Sequence, residues 1–471
     1  MKMRNNLKQI FTFACFAAWG VSLFLLDLYY AGPAFSETTV MLSLSEAVDK
    51  SLLNNKNILA AYHENEAARG AKLEAFSAYL PQLSIYSQST KTESERYTSP
   101  FQEAGFSGKT YNNRIEASQL IFDRSVLSNI FLANLKKQSA EIQLTGQKLQ
   151  TVSEAVNLYI EILLAQEIID VQHQRLELAE KQLHTAKSQF QAGYQINTDV
   201  ARAQLTQASA RRDINLAKVA MERAEVYLNK IMGVSVNFRH GVSGGYLMQF
   251  DPSAMPDVES NVEELFTTAQ ELNPAIKIAD LLVQQQEEIL GMAKGEFFPR
   301  LYTSGNWGYY DTEKMDFEDE EWSVQLVGEI PILEGGRRFG KVKRTLETLN
   351  AEKKRYESVI LDINGQIEEA LFVMEEERNN YIIAVQAEVV AQKNYEVFFN
   401  RYESGMGESL DLMQALTELV SAQTEVVMAR YSYLRGAVQL LTALGVLPLE
   451  QNAYQNDAWI DVSQIIEAQK E

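Results

Sequence analysis

The stretch FQAGYQINTDVARAQ at residues 190–204 is repeated as YESGMGESLDLMQAL at residues 402–416. Each version has a glycine and, six residues later, an aspartate that opens a helix-like run: Gly193 and Asp199 in the first, Gly405 and Asp411 in the second. The two glycines are 212 residues apart. A repeat of this length is too long for a solenoid unit, so it indicates duplication of half a protein.

A second block extends the repeat towards the N-terminus. AYLPQLSIYS at 78–87 matches EFFPRLYTSG at 296–305, now 218 residues apart. The larger offset predicts a longer loop near residues 90–110 in the first copy. The predicted organisation is a signal peptide (1–36), a first repeat (37–233), a linker (234–261), a second repeat (262–446) and a C-terminal segment (447–471).

Each repeat contains helical segments at matching places. The long segments have no proline and step 3-4-3-4 in apolar residues, which is typical of a coiled-coil seam. About 66 residues of helix would span roughly 100 Å. The two shorter segments of a repeat add up to nearly this length, so they are expected to stack end to end beside the long one. The predicted segments are 44–80, 124–190 and 199–231, then 262–298 with Asn273 as an N-cap before Pro274, 340–402 and 411–444.

Between the first short helix and the long helix, each copy shows residues of alternating polarity. The hairpins are predicted at 82–122 and 300–331, with a solvated acidic connection at 311–321. Runs of about ten residues with aromatic side chains suit membrane-spanning β-strands. Three prolines mark the points where helix meets strand: Pro81, Pro299 and Pro331.

Two hairpins supply four strands, and four strands cannot close a barrel. Open strand edges are not tolerated in lipid. Either the strands are soluble or several chains share one barrel. Three chains would supply twelve strands, although symmetry alone also permits two or four.

The composition sets broad limits on function. The chain has 471 residues, a formal net charge of -20 and a mean hydropathy of -0.22. These values argue against nucleic-acid binding and against a polytopic helical membrane protein. The leader has an apolar run at 10–26, and cleavage is predicted after Ser36. An uncleaved inner-membrane anchor is the alternative. The single cysteine, Cys15, lies in this leader, so the mature chain has no disulfide or thiolate metal site.

No catalytic constellation stands out, and the chain is predicted not to be an enzyme and to bind no cofactor or metal. His173 and His184 are about 16 Å apart along one helix and cannot share a metal. The run EGGRRFGK at 334–341 looks suited to phosphate, but at a strand-to-helix turn it is better explained as a bend with a helix start.

With these motifs in this order, the chain resembles the TolC-like outer-membrane efflux proteins over roughly residues 42–447. The resemblance rests on the duplicated helix–proline–strand junctions and the two glycine turns quoted above. It also rests on the strand-to-helix turns SQLIFDRS and IPILEGGRR and the helix ends LNKIMGV and LLTALGV.

The resemblance implies a mainly α fold in which duplicated long-helix hairpins form a trimeric α-helical tunnel continuous with a shared 12-stranded β-barrel. The barrel would lie in the outer membrane and the tunnel in the periplasm. The implied function is the passive exit duct of a tripartite efflux or type I secretion system. Its implied partners are two further copies, a periplasmic adaptor, an inner-membrane transporter and outer-membrane lipid.

The resemblance also assigns a periplasmic entrance to the turns at 191–199 and 403–411. Asp199 and Tyr402 match two residues of a polar link that holds the entrance closed. Asp411 matches a carboxylate that forms an acidic ring in the trimer, and such a ring attracts cations. A second reading of both aspartates is N-capping of a helix.

This sequence departs from the family pattern at two positions of the entrance. Gln414 stands where a second entrance aspartate is expected, and Gly407 stands where an arginine link often lies. A weaker latch and a weaker cation block are therefore expected. Two other functions stay open from the sequence: a periplasmic helical-hairpin adaptor, and an anchored structural rod without a pore.

Overall fold

The computed structural model describes residues 40–99, 102–193, 196–255, 262–312, 317 and 320–447. These residues belong to two units. The small unit is built on the pairing of strand β1 (Val40–Leu42) with strand β4 (His240–Val242). The predicted signal peptide and the C-terminal segment after residue 447 lie outside the described residues.

The large unit contains two copies of one order of elements: two short helices, a β-hairpin, a very long helix and a medium helix. This order is the predicted one, except that each first segment is two helices. The first copy has α1 (Leu44–Asn54), α2 (Lys56–Ser77), β2 (Gln82–Ser99), β3 (Gln102–Phe122), α3 (Arg124–Gln191) and α4 (Asn197–Ile231). The second has α5 (Val262–Leu272), α6 (Pro274–Gly295), β5 (Arg300–Thr312), β6 (Glu320–Glu329), α7 (Arg337–Glu403) and α8 (Ser409–Leu444).

An asparagine divides the first helical segment of each copy. Asn273 accepts the Ala275 N–H at 2.7 Å and so caps α6, which confirms the predicted N-cap. Asn55 does the same for α2 through the Asn57 N–H at 2.9 Å. Sequence reasoning missed the break at Asn55 because no proline follows that residue to mark it.

The same asparagines join the helices end to end. Asn55 Nδ2 donates to the Ile231 carbonyl at 2.9 Å, and Asn273 Nδ2 donates to the Ala443 carbonyl at 2.7 Å. The end of α4 therefore meets the start of α2, and the end of α8 meets the start of α6, as predicted. Gly233 has φ +67°, and a Cβ there would lie 2.4 Å from the Asn54 carbonyl oxygen, so only glycine fits this junction.

The long helices α3 and α7 have 68 and 67 residues, or roughly 100 Å each. Helix α3 packs on α4 and on α8, and α8 packs on α7, so α4 and α7 form the two edges of this layer. No helix in the described part of the chain has the length and apolar character needed to cross a bilayer. The predicted seam residues are buried, apart from the half-buried Ile360: Leu149, Val152, Val156, Tyr159, Leu163, Ile363, Ile367, Ala370 and Met374.

The four long strands form one antiparallel sheet in the order β2-β3-β5-β6. Strands β2 and β3 have 18 and 21 residues, so the loop predicted near 90–110 is wrong: the chain stays paired up to Ser99 and Gln102. The sequence from Ser87 to Arg96 is polar at every position, so the hydrophobic alternation that marks a half-buried strand is missing. In the described residues β2 and β6 each have one neighbour and form the sheet edges.

The two faces of this sheet differ in chemistry, as the alternation predicts. Leu83 and Ile85 are 75% and 83% exposed on one face, in the same rows as the exposed Trp322 and Val324. The other face carries polar contacts such as Ser304 with Gln325, and Arg114 with Glu116 and Tyr86. The acidic connection predicted at 311–321 is too long, since Asp311 and Thr312 belong to β5 and Glu320 and Glu321 belong to β6. Asp311 is buried and accepts the Phe317 N–H at 3.2 Å.

Candidate functional site

Three prolines lie between helix and strand, where the sequence places them. Pro81 directly precedes β2, Pro299 directly precedes β5, and Pro331 follows β6. In the connection after Pro331, Gly335 and Gly336 have φ of +57° and +83°, and α7 begins at the next residue. The EGGRRFGK run is therefore a bend with a helix start, as expected.

The helix–strand junctions of the two copies are tied together by a contact that sequence reasoning missed. Asp123 is buried and caps α3 by accepting the Ser125 N–H at 2.8 Å. The second carboxylate oxygen of Asp123 accepts a hydrogen bond from Arg300 Nε, also at 2.8 Å. The N-terminus of a long helix is thus fixed to the first residue of β5.

At the opposite ends of the long helices lie the two glycine turns. Gly193 and Gly405 have φ of +81° and +75°, in the left-handed region where glycine ends a helix without strain. The N-caps of α4 and α8 are Ile196 and Glu408, and neither makes a side-chain capping bond. The capping reading of Asp199 and Asp411 is therefore wrong, because each is the third residue of its helix.

One of these aspartates lies in a buried cluster at the turns. Tyr402 is fully buried and Asp199 is 6% exposed. Burial raises the pKa of Tyr402, the nearby Asp199 carboxylate raises it further, and the Ser409 hydroxyl opposes this shift. Gln189 Nε2 donates to the Tyr402 carbonyl at 2.8 Å. We call these residues the tip cluster: Gln189, Asp199, Tyr402 and Ser409.

The tip cluster joins the two copies, since Gln189 and Asp199 belong to the first and Tyr402 and Ser409 to the second. Arg202 adds a loose ion pair, with Nη1 at 3.5 Å from Asp199 Oδ1. The hydroxyls of Tyr402 and Ser409 make no well-aligned hydrogen bond with the described residues. Sequence reasoning missed Gln189 and Ser409, because an isolated glutamine and serine in helices give no signal.

The other two predicted entrance residues lie outside this cluster. Asp411 and Gln414 are exposed on α8, and Gln414 Nε2 donates to Glu418 Oε1 at 2.9 Å. Glu418 and Glu425 follow Asp411 at steps of seven residues and are also exposed. These three carboxylates form an acidic stripe along one face of α8.

The departure at Gly407 has a steric reason. A Cβ at this position would lie 2.9 Å from the Tyr402 nitrogen and 3.0 Å from the Arg401 carbonyl carbon. Real Cβ atoms rarely come so close to backbone, so the turn accepts no side chain here without moving. An arginine link at this position is incompatible with the turn geometry of this chain.

Most of the chain matches a family of known proteins. A family profile described as Outer membrane efflux protein matches residues 47–234 and 265–446, which covers most of the chain. This chain belongs to the outer membrane efflux protein family. The efflux protein is thus an outer-membrane exit duct with its helical part in the periplasm. No group of three or more candidate ligands in the described residues is arranged to hold a metal.

Curated relatives of this efflux protein match along nearly their whole length. The Outer membrane protein TolC of Vibrio cholerae is 22% identical over 434 residues, covering 89% of this chain and 94% of its own. The Alkaline protease secretion protein AprF of Pseudomonas aeruginosa is 22% identical, covering 87% and 86%. The CmeC outer membrane channel of Campylobacter jejuni superposes with a TM-score of 0.77 at 19% identity, covering 90% and 89%. This likeness confirms the predicted fold class.

Proposed function

We propose that this efflux protein is a passive, homotrimeric exit duct, opened at its periplasmic tip by an adaptor and an inner-membrane transporter. The observation that carries the proposal is the four-stranded sheet with one exposed apolar face and two free edges. An apolar face of this kind is stable in lipid, whereas water would disfavour it. It argues against the anchored rod, for which the strands should be soluble.

The sheet edges support the sharing of one barrel. Strand β2 at one edge and β6 at the other run in opposite directions. Strand β6 of one protomer can therefore continue the antiparallel pairing with β2 of the next protomer. Closure removes unpaired backbone groups, which is the condition for a sheet to span lipid. Three copies supply twelve strands.

The edge helices support the same assembly in the helical part. Helix α4 exposes Leu205, Leu216 and Tyr227, and α7 exposes Leu361, Phe372 and Ile383. Both sets recur every eleven residues, a period that follows one face of a nearly straight helix. Exposed apolar stripes on opposite edges of one helix layer suit a contact between α4 of one protomer and α7 of the next protomer.

For the tip, we propose that the contacts of Asp199, Tyr402 and Gln189 hold the entrance closed. These contacts join helices α3 and α4 of the first repeat to helix α7 of the second repeat within one chain. Movement of the pair α3–α4 relative to the pair α7–α8 must therefore break them. Engagement of an adaptor would supply the free energy for this step. The duct itself hydrolyses nothing, and the relatives named for efflux and for protease secretion leave both cargo classes open to it.

The test is the conductance of the mature protein in a planar lipid bilayer. Wild type should give small, cation-preferring steps, and Tyr402→Phe combined with Asp199→Ala should raise the resting conductance. Tyr356→Phe, on α7 far from the tip, is the matched control and should behave as wild type. If both wild type and the double variant are silent, the duct is excluded in favour of the rod.

A further inference from the structure

The face of the sheet that carries Leu83 and Ile85, here called the outward face, has a long apolar region. On this face every second residue from Trp322 to Ile330 lacks a polar side chain, over roughly 27 Å of chain. With the tilt of barrel strands, this length is comparable with the apolar band that such sheets present to lipid. The helices join the sheet at its Ile330 end, so the Trp322 end points away from the periplasm.

Aromatic rings mark the outer limit of this apolar region. Trp307 and Trp322 are directly paired across β5 and β6, and the Tyr309 ring lies 5.7 Å from that of Trp307 between centroids. Trp307 Nε1 donates to Glu320 Oε1 at 2.6 Å, so the indole has a polar partner at this level. Rings with an apolar body and a polar group are typical of the boundary between lipid and water.

Two lysines lie on the outward face beyond these rings. Lys91 is six residues after Ile85 and Lys109 is six residues before Ile115, so both side chains are on this face. The strand register pairs Lys91 directly with Lys109. The pair is four residues, or roughly 14 Å, beyond the level of Tyr309. A long lysine side chain reaches the headgroup layer from this position.

The two ammonium groups repel each other, and an anion between them would remove this cost. Like charges directly opposite on neighbouring strands are destabilising. Lys91 forms an ion pair with Glu93, but these side chains are 58% and 67% exposed, and an exposed pair contributes little. Lys109 is exposed and has no ion pair with the residues that the structure describes. The lysine pair is therefore suited to a phosphate group.

We propose that Lys91 and Lys109 together bind the phosphate of an outer-leaflet lipid, whose acyl chains lie on the apolar region of the outward face. Each ammonium group has three donors, so the two lysines can hold one phosphate from both sides. A lipid fits better than free phosphate, because the aromatic rings and the apolar region follow directly below the lysines. This inference rests on the proposed barrel, since the outward face must contact lipid.

The test is a titration of the purified mature protein in detergent with lipid A, a phosphorylated lipid, followed by native mass spectrometry. Lys91→Ala with Lys109→Ala should weaken binding about thirtyfold, and each single substitution about fivefold. Dephosphorylated lipid A should bind wild type as weakly as lipid A binds the double variant. Glu93→Gln, which removes the competing carboxylate, should strengthen binding about twofold. Lys353→Ala with Lys354→Ala, on the exposed surface of α7, is the control and should bind as wild type.

A second control keeps the charge and changes the face. Thr90 and Thr110 are paired one residue before the lysine pair along β2, on the opposite face. Thr90→Lys with Thr110→Lys, added to the double alanine variant, should leave binding weak. Restored binding would show that net charge suffices and would overturn the inference. Full displacement of lipid A by inorganic phosphate would also overturn it, because the site would then be one for free anions.

Conductance in planar bilayers separates this inference from the proposed duct. The double alanine variant should conduct like wild type, which also shows that its barrel has folded. If that variant conducts and still binds lipid A as tightly as wild type, only the lipid site is excluded. If wild type and the unlatched variant form no channel, the barrel and the lipid site are excluded together.

Discussion

Asp199 and Asp411 occupy the same position in the two copies, the third residue of a helix that follows a glycine turn. Their surroundings differ. Asp199 is buried beside Tyr402, whereas Asp411 is exposed at the end of the acidic stripe of α8. One position of the repeat has thus become an internal contact and the other a free charge.

At this scale, Asp411→Asn should weaken the block of the channel by multivalent cations. In a trimer the substitution removes three charges from one level of the duct, and a ring of carboxylates attracts cations strongly at short range. The measurement is single-channel current against added trivalent cation. The half-blocking concentration should rise about tenfold.

Glu357→Gln is a suitable comparison, since it removes an exposed carboxylate from α7 near the other end of that helix. Its block should match wild type. If the half-blocking concentration of the cation is the same for Asp411→Asn and wild type, the Asp411 carboxylate lies away from the narrowest level of the duct.

Between elements, the contact of α3 with α8 contains a half-buried ion pair between Arg430 and Glu167. Arg430 Nη1 donates to Glu167 Oε2 at 2.9 Å and to the Met248 carbonyl at 2.8 Å, and Tyr431 Oη donates to Glu167 Oε1 at 2.6 Å. Burial and the Glu167 carboxylate raise the pKa of Tyr431 well above its ordinary value, so the hydroxyl stays protonated. Both helix pairs are thereby fixed to each other far from the tip.

Glu167→Gln should lower the free energy of unfolding by about 2 kcal/mol, because it leaves the Arg430 charge partly unpaired away from water. Chemical denaturation followed by far-UV circular dichroism measures this. Glu180→Gln, which breaks the exposed pair with Arg211, should cost less than about 0.5 kcal/mol. Equal losses in the two variants would show that the Glu167 pair contributes no more than a surface contact.

The apolar stripe of α7 changes period along the helix. Leu361, Phe372 and Ile383 are eleven residues apart, but Val390 and Val397 follow Ile383 at steps of seven. A seven-residue period imposes a left-handed supercoil. At the tip end of α7, Tyr402 accepts a hydrogen bond from Gln189 of α3. The two repeats of the chain therefore touch through α8 at Glu167 and Arg430, and through α7 at the tip.

For the whole molecule, the proposed trimer predicts a defined cross-linking ladder. Ser84 on β2 and Ser323 on β6 lie at the same level of the sheet on its polar face. With Ser84→Cys and Ser323→Cys in one mature chain, a flexible thiol cross-linker should join β6 of one protomer to β2 of the next protomer. Denaturing gels should show bands up to the trimer and none beyond.

Each single-cysteine variant serves as the control and should give at most dimers. If the largest cross-linked band is a dimer or a tetramer, the closed assembly contains two or four protomers instead of three. Only monomers, at a cross-linker length that spans neighbouring strands, would argue against a shared sheet.

Much of the architecture could be predicted from local patterns. Duplication shows in repeated motifs, the long helices in an unbroken apolar seam, and the turns in glycines that require a positive φ. The strands of the second hairpin follow from alternation. The tip residues Asp199 and Tyr402 were identified through the family resemblance, and their gating role stays a prediction.

What only the tertiary structure decided are contacts between residues more than 150 positions apart. Gln189 meets Tyr402, Glu167 meets Arg430, and Asp123 meets Arg300, and none of these pairs has a local signature. The full length of β2 and β3 was also hidden, because an unbroken run of polar residues gives no period. Periodicity and propensity act over one or two turns and determine the elements. Which side chains meet depends on how those elements pack, and that is settled by the burial of the whole chain.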